Sequence, residues 1–109
     1  MGEAMDQLSG LLSDLVNRIV EAVHPLRIMV FGSAARGEMG PHSDIDVLVV
    51  MPDGTHRRHT AQDLYQRLSG FPMAVDIVVA TPTDLARHKD TIGLVYRDAL
   101  REGREIYAS

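Results

Sequence analysis

The sequence predicts a single α/β domain with a small mixed β-sheet of three core strands, flanked by helices and with room for a short additional edge strand. Three observations predict this class. Helix-like and strand-like patterns alternate along the chain, which is typical of an α/β layer. The 45% hydrophobic and 24% charged residues are close to globular averages. The 109 residues contain no repeat or low-complexity tract, so residues 1–109 are expected to form one domain.

An amphipathic helix is predicted at the beginning of the chain. Apolar residues recur there at steps of three and four, the spacing that places them on one face of a helix. The helix is expected to end at His24-Pro25, because the residue before a proline avoids the α conformation. The apolar stripe consists of Leu8, Leu11, Leu12, Leu15, Ile19 and Val23.

Three strands are predicted after this helix. Arg27–Phe31 and Ile45–Val50 are short, mostly apolar runs of the kind found in buried strands, and residues 73–80 predict the third. A helix over residues 60–68 lies between the second and third strands and favours a right-handed parallel crossover. The short link between the first two strands leaves their relative direction open. One side of the crossover helix is expected to carry Ala61, Leu64, Tyr65 and Leu68.

Two further helices are predicted in the second half of the chain. Thr81 is a suitable N-cap and Pro82 a suitable first-turn residue for one helix. Residues 92–102 predict the last helix, and Gly103 suits the position after its end.

Charge and composition exclude several kinds of binding partner, chemistry and location. The net charge of −4 gives no basic stripe, so direct nucleic-acid binding is not expected. The absence of cysteine excludes disulfides and a thiolate nucleophile. The acidic N-terminus lacks a signal-peptide pattern, and no apolar run is long enough for a bilayer. A cytoplasmic protein without membrane attachment is therefore expected.

Three aspartates stand out against the apolar strands that contain or follow them. Asp44 and Asp46 are two residues apart at the second strand and should point to one face, while Asp76 lies in the third strand. If these strands are neighbours, the three carboxylates can converge and repel one another. Mg²⁺ or Mn²⁺ would relieve this repulsion, because both prefer oxygen ligands. The alternative is that each aspartate is a strand-end cap or turn residue.

A possible phosphate-binding turn follows the first strand. Gly32 allows a tight turn and close approach of a ligand, and the amides that follow can donate to phosphate oxygens. Ser33 adds a hydroxyl and Arg36 a guanidinium, which could contact a phosphate or stabilise the loop. The Gly-Ser pair alone is a common turn, so its functional interpretation depends on the aspartates.

Taken together, Gly32-Ser33, ten intervening residues and then Asp44-Ile45-Asp46 resemble the signature of the DNA polymerase β-type nucleotidyltransferase superfamily. The stretch from residue 31 to residue 49 is similar to the minimal nucleotidyltransferase (MNT) branch, and Asp76 matches the third carboxylate of the family. The resemblance covers residues 27 to 80 and implies the nucleotidyltransferase fold.

The resemblance also implies a role for each matched residue. Gly32 and Ser33 would hold the β- and γ-phosphates of ATP. Asp44 and Asp46 would bind two Mg²⁺ ions. Asp76 would complete the site of the ion that activates the acceptor hydroxyl and would help to take its proton. The expected reaction is transfer of AMP, with release of pyrophosphate.

The family resemblance implies a partner as well. Larger relatives carry a helical domain for the acceptor, and this chain ends soon after its core, so another protein is expected to supply the acceptor. In the MNT family that partner is commonly a HEPN toxin, which the antitoxin modifies by adding AMP to a tyrosine. A hetero-oligomer with a HEPN protein is therefore expected. The alternatives are a non-catalytic antitoxin that acts by binding alone, and a transferase acting on a small molecule or an RNA end.

Overall fold

The structure is a computed structural model and describes residues 3–32, 44–88 and 103–109. The predicted helix at residues 92–102 lies outside the described residues. The helices and strands, in chain order, are α1 (Glu3–Val23), β1 (Arg27–Phe31), β2 (Ile45–Val50), α2 (Arg57–Arg67), β3 (Val75–Ala80), α3 (Pro82–His88) and β4 (Arg104–Ala108).

The four strands form one mixed sheet in the order β3-β2-β1-β4. β1 is antiparallel to both of its neighbours, which settles the direction that the short link between β1 and β2 left open. β2 and β3 are parallel, which confirms the predicted parallel connection through α2. The predicted three-strand core is confirmed, and the additional edge strand is β4, which directly follows Gly103.

Apolar side chains cover both faces of the two central strands. On one face, Leu15 of α1 and Leu64 of α2 belong to the same buried cluster as alternate residues of β1 and β2. On the other face, Leu85 of α3 packs in a smaller cluster with Met29 and Leu48. Burial on both faces explains why these strands have nearly continuous apolar sequences. The helices α1 and α2 therefore lie on one side of the sheet and α3 on the other.

The two short helices begin with different caps. At α3, Thr81 Oγ1 accepts from the Asp84 N–H (3.2 Å) while Asp84 Oδ2 accepts from the Thr81 N–H (3.0 Å), which confirms the predicted N-cap. At α2, His56 Nδ1 accepts from the His59 N–H at 3.2 Å, so this helix begins three residues before the predicted position. None of the helices in the described ranges has the length and apolar character required to cross a membrane.

Candidate functional site

The three aspartates lie at the same end of two neighbouring strands. Asp44 is exposed directly before β2, Asp46 is the second residue of β2, and Asp76 is the second residue of β3. In the parallel register Asp46 stands opposite Asp76. Because side chains alternate along a strand, both share the face that carries Leu48 and Val78, the face on which α3 packs. The condition for convergence, that β2 and β3 are neighbours, is thus met.

The surroundings of Asp46 disfavour its ionised form. Burial raises the pKa of Asp46 above its usual value, and the negative charges of Asp76 and Asp44 raise this pKa further. The fold therefore holds a carboxylate whose ionised form is disfavoured by its surroundings. A nearby cation would reverse that preference.

Gly32 shapes the site directly. It follows β1 with a φ of 66°, a left-handed conformation that glycine adopts without strain. A Cβ at this position would collide with Asp46 Oδ2. The predicted tight turn is confirmed, and the structure adds that the missing side chain makes room for a carboxylate. The predicted phosphate contact of Gly32 stays a prediction, and Ser33 and Arg36 lie outside the described residues.

Tyr65 contacts one of the three aspartates, although no role at the site was predicted for it from the sequence. It lies on α2, and 46% of its surface is exposed. Its hydroxyl accepts a hydrogen bond from the Ile77 N–H (2.9 Å) and donates one to Asp76 Oδ1 (3.4 Å). This contact was missed because it joins residues eleven positions apart on different elements. Periodicity within one helix carries no signal for such a contact.

The aspartates fit a Mg²⁺ ion that is also coordinated by water and by the phosphates of a substrate. Among residues 3–32, 44–88 and 103–109, no three acidic or histidine side chains are grouped closely enough to hold a metal ion by themselves. Mg²⁺, however, commonly takes only one or two protein carboxylates and completes its coordination with water and substrate phosphates. Neighbouring carboxylates, one with a raised pKa, suit an ion that binds together with a phosphate-bearing substrate.

A mixed sheet with helices on both faces and acidic residues at one end of parallel strands is an arrangement suited to metal-dependent phosphate chemistry. Residues 12–105 match the sequence model of the nucleotidyltransferase domain. The chain therefore belongs to the nucleotidyltransferase domain family.

Several curated relatives are adenylyltransferases. The chain is 35% identical over 91 residues to aminoglycoside (3'') (9) adenylyltransferases of Shigella flexneri and Escherichia coli. The alignment covers 79% of this chain and 34% of each relative. The chain thus spans about a third of the length of the curated relatives that it matches.

Solved structures share the fold. A protein from Sulfolobus solfataricus described as a nucleotidyltransferase aligns with a TM-score of 0.60 at 23% identity, covering 97% of this chain and 85% of that one. A mutant of the MntA-HpeT toxin–antitoxin aligns with a TM-score of 0.63 at 16% identity, covering 89% and 73%. A toxin–antitoxin structure with AMP-PNP gives 0.56 at 22% identity, covering 88% and 73%. The fold is therefore shared with toxin–antitoxin structures.

Proposed function

We propose that this protein is an MNT antitoxin that transfers AMP from ATP to a tyrosine hydroxyl of a HEPN toxin. The observation that carries the proposal is the register of β2 and β3, which places Asp46 opposite Asp76 with Asp44 two residues away. The raised pKa of Asp46 supports a site that is completed by cations. The family membership supports nucleotidyl transfer as the reaction.

Each position of the motif has a role in this reaction. Gly32 and Ser33 bind the β- and γ-phosphates, and the Arg36 guanidinium adds a positive charge. Asp44 and Asp46 would hold both metal ions, and Asp76 would complete the site of the ion that activates the acceptor hydroxyl. When bound, two Mg²⁺ ions supply the charge that stabilises the attacking and leaving oxygens.

The proposed reaction is an in-line displacement at the α-phosphorus of ATP. The acceptor oxygen forms a bond to the α-phosphorus of ATP while the bond from that phosphorus to the bridging oxygen of pyrophosphate breaks. Asp76 takes the proton of the acceptor hydroxyl. The products are the AMP-modified acceptor and pyrophosphate.

The choice of a toxin as the acceptor rests on the fold. Three of the similar structures are toxin–antitoxin structures, and one of them was determined with the ATP analogue AMP-PNP. A protein acceptor also fits the exposed position of Asp44 directly before β2. The partner is expected to form a hetero-oligomer with this chain while it is modified.

A titration distinguishes an enzyme from a binding protein. The chain is added in increasing amounts to an excess of the partner toxin, with ATP and Mg²⁺ or with EDTA, and toxin activity and intact mass are measured. We expect small amounts of the chain to inactivate the excess toxin when ATP and Mg²⁺ are present, with a mass increase of one or more adenylyl groups. A one-to-one end point that ATP does not move, with no change in the toxin's mass, would contradict the enzyme and leave a sequestering antitoxin.

The second candidate acceptor is a small-molecule hydroxyl. The 35% identity to aminoglycoside adenylyltransferases favours this alternative. The same reaction with an aminoglycoside in place of the toxin decides between the two acceptors. AMP transfer to the aminoglycoside and none to the toxin would overturn the antitoxin proposal while retaining the transferase.

A further inference from the structure

The phenol of Tyr65 joins the edge of the sheet to one of the three aspartates. Its oxygen accepts from the Ile77 N–H at 2.9 Å and donates to Asp76 Oδ1 at 3.4 Å. We propose that Tyr65 is a positioning residue that holds Asp76 in the orientation required to bind a divalent cation. This inference rests on the two-metal function proposed above, and it assigns to Tyr65 a role outside the motif.

The direction of the two hydrogen bonds follows from the groups involved. A phenol has one proton to donate, whereas an ionised carboxylate can only accept. The Ile77 N–H can only donate, so it occupies a lone pair of the phenol oxygen and leaves the phenol proton for Asp76. Tyr65 therefore hydrogen-bonds to Oδ1 of Asp76 and not to Oδ2.

The packing of α2 against the sheet determines the position of Tyr65. The preceding residue, Leu64, is fully buried in the cluster on the α2 side of the sheet and anchors this part of the helix. Asp76 shares the opposite face with Val78. Tyr65 thus comes from the α2 side and meets Asp76 at β3, the terminal strand of the sheet.

Partners of this kind are a general feature of metal sites. Groups that hydrogen-bond a ligating side chain fix its orientation, and their removal typically weakens metal affinity or activity by about 10- to 100-fold. A purely structural role predicts something else. If Tyr65 only pairs the free N–H of the edge strand, its removal should loosen β3 locally whether or not Asp76 is present.

The test combines metal binding with a double-mutant cycle. Mn²⁺ affinity is measured by electron paramagnetic resonance, with a non-hydrolysable ATP analogue present, for the native chain, Tyr65→Phe, Asp76→Asn and the double variant. Tyr65→Phe keeps the ring and removes only the hydroxyl. Tyr107→Phe is the matched control, because Tyr107 lies on β4 at the opposite edge of the sheet.

We expect Tyr65→Phe to weaken Mn²⁺ binding by about tenfold in the native background and by less than about twofold in the Asp76→Asn background. Tyr107→Phe should leave the affinity unchanged. In AMP-transfer assays, Tyr65→Phe should lower kcat with little change in the KM for ATP. Hydrogen exchange at the Ile77 amide measures the structural part of the contact separately.

Each contrary result has its own meaning. Equal Mn²⁺ affinity for native and Tyr65→Phe proteins, with AMP transfer intact, would overturn this inference alone. A Tyr65→Phe effect of equal size with and without Asp76 would show a structural role instead. AMP attached to Tyr65 itself would make this residue an acceptor and overturn the positioning role. No Mn²⁺ binding by the native chain would overturn the metal site and, with it, this inference.

Discussion

The carboxylate of Asp46 lies against Gly32, in the space that a side chain at position 32 would occupy. Asp46 lies on β2, and Gly32 directly follows Phe31, the last residue of the antiparallel strand β1 and the register partner of Asp46. The turn after β1 and the acidic residue of β2 are therefore shaped together. Any change at position 32 is expected to move a carboxylate of the candidate site.

Replacement of Gly32 tests this relationship. Gly32→Ala should cost about 1–2 kcal/mol of the free energy of unfolding from the left-handed backbone alone, and it should abolish AMP transfer by displacing Asp46. Chemical denaturation and a transfer assay measure the two effects. Gly70→Ala is the matched control, because Gly70 has a φ of 86° but no atom within 4 Å of an added Cβ. Equal transfer by the two variants would show that the contact with Asp46 has no functional effect.

Metal and nucleotide should stabilise the fold together. Because the carboxylates of Asp44, Asp46 and Asp76 repel one another, Mg²⁺ or Mn²⁺ with ATP should raise the unfolding free energy by about 2.7 kcal/mol at a ligand concentration 100-fold above Kd. EDTA should remove the effect of ATP. Thermal melting in the four combinations of metal and ATP provides the measurement. A melting temperature that does not respond to metal and ATP together would count against the site.

The raised pKa of Asp46 predicts how stability depends on pH. The folded, metal-free protein binds this proton more tightly than the unfolded chain does, so the contribution of Asp46 to stability falls as pH rises from the ordinary value of 3.8 through the raised pKa. Asp46→Asn removes this contribution. In EDTA, the variant should be more stable than the native protein above that interval and should lose the advantage below it. Denaturant unfolding across the acidic to neutral range measures the difference, and an Asn variant that is less stable at neutral pH would contradict the prediction.

The core beneath α2 should be sensitive to truncation. Leu64 is fully buried between α2 and the sheet, so Leu64→Ala should reduce the free energy of unfolding by about 2–5 kcal/mol. Gln66, two residues further on, is exposed, and Gln66→Ala should stay within about 0.5 kcal/mol. Denaturant unfolding of the two variants is a direct comparison. A small effect at Leu64 would mean that α2 does not depend on this packing.

The elements with a strong local signal could be predicted from the sequence. β1 and β2 have the predicted bounds, because burial on both faces gives short apolar runs. The beginning of α2 was misplaced because its cap is His56, whose imidazole is not among the usual capping groups. β4 has a weaker pattern, since it is a half-exposed edge strand held by pairing with β1 and by the Arg27–Glu105 ion pair.

Some features of the candidate site could be predicted from the sequence, and others could not. Strand periodicity predicts a shared face for Asp44 and Asp46. The position of Asp76 opposite Asp46 follows once β2 and β3 are neighbours. The contacts of Gly32 with Asp46 and of Tyr65 with Asp76 depend on the three-dimensional path of the chain. Single-sequence patterns contain no information about such pairs.

Transfer of labelled AMP tests the central claim most directly. ATP labelled on its α-phosphate is incubated with Mg²⁺, the partner toxin and the native chain, Asp44→Asn or Asp46→Asn, and label on the toxin and released pyrophosphate are measured. Circular dichroism checks that the Asn variants are folded, since they keep the side-chain volume and lose only the charge that binds metal. The native chain should label the toxin and release pyrophosphate in equal amounts, and neither folded variant should do so. Labelling by the Asn variants at the native rate would contradict metal-dependent transfer at these aspartates.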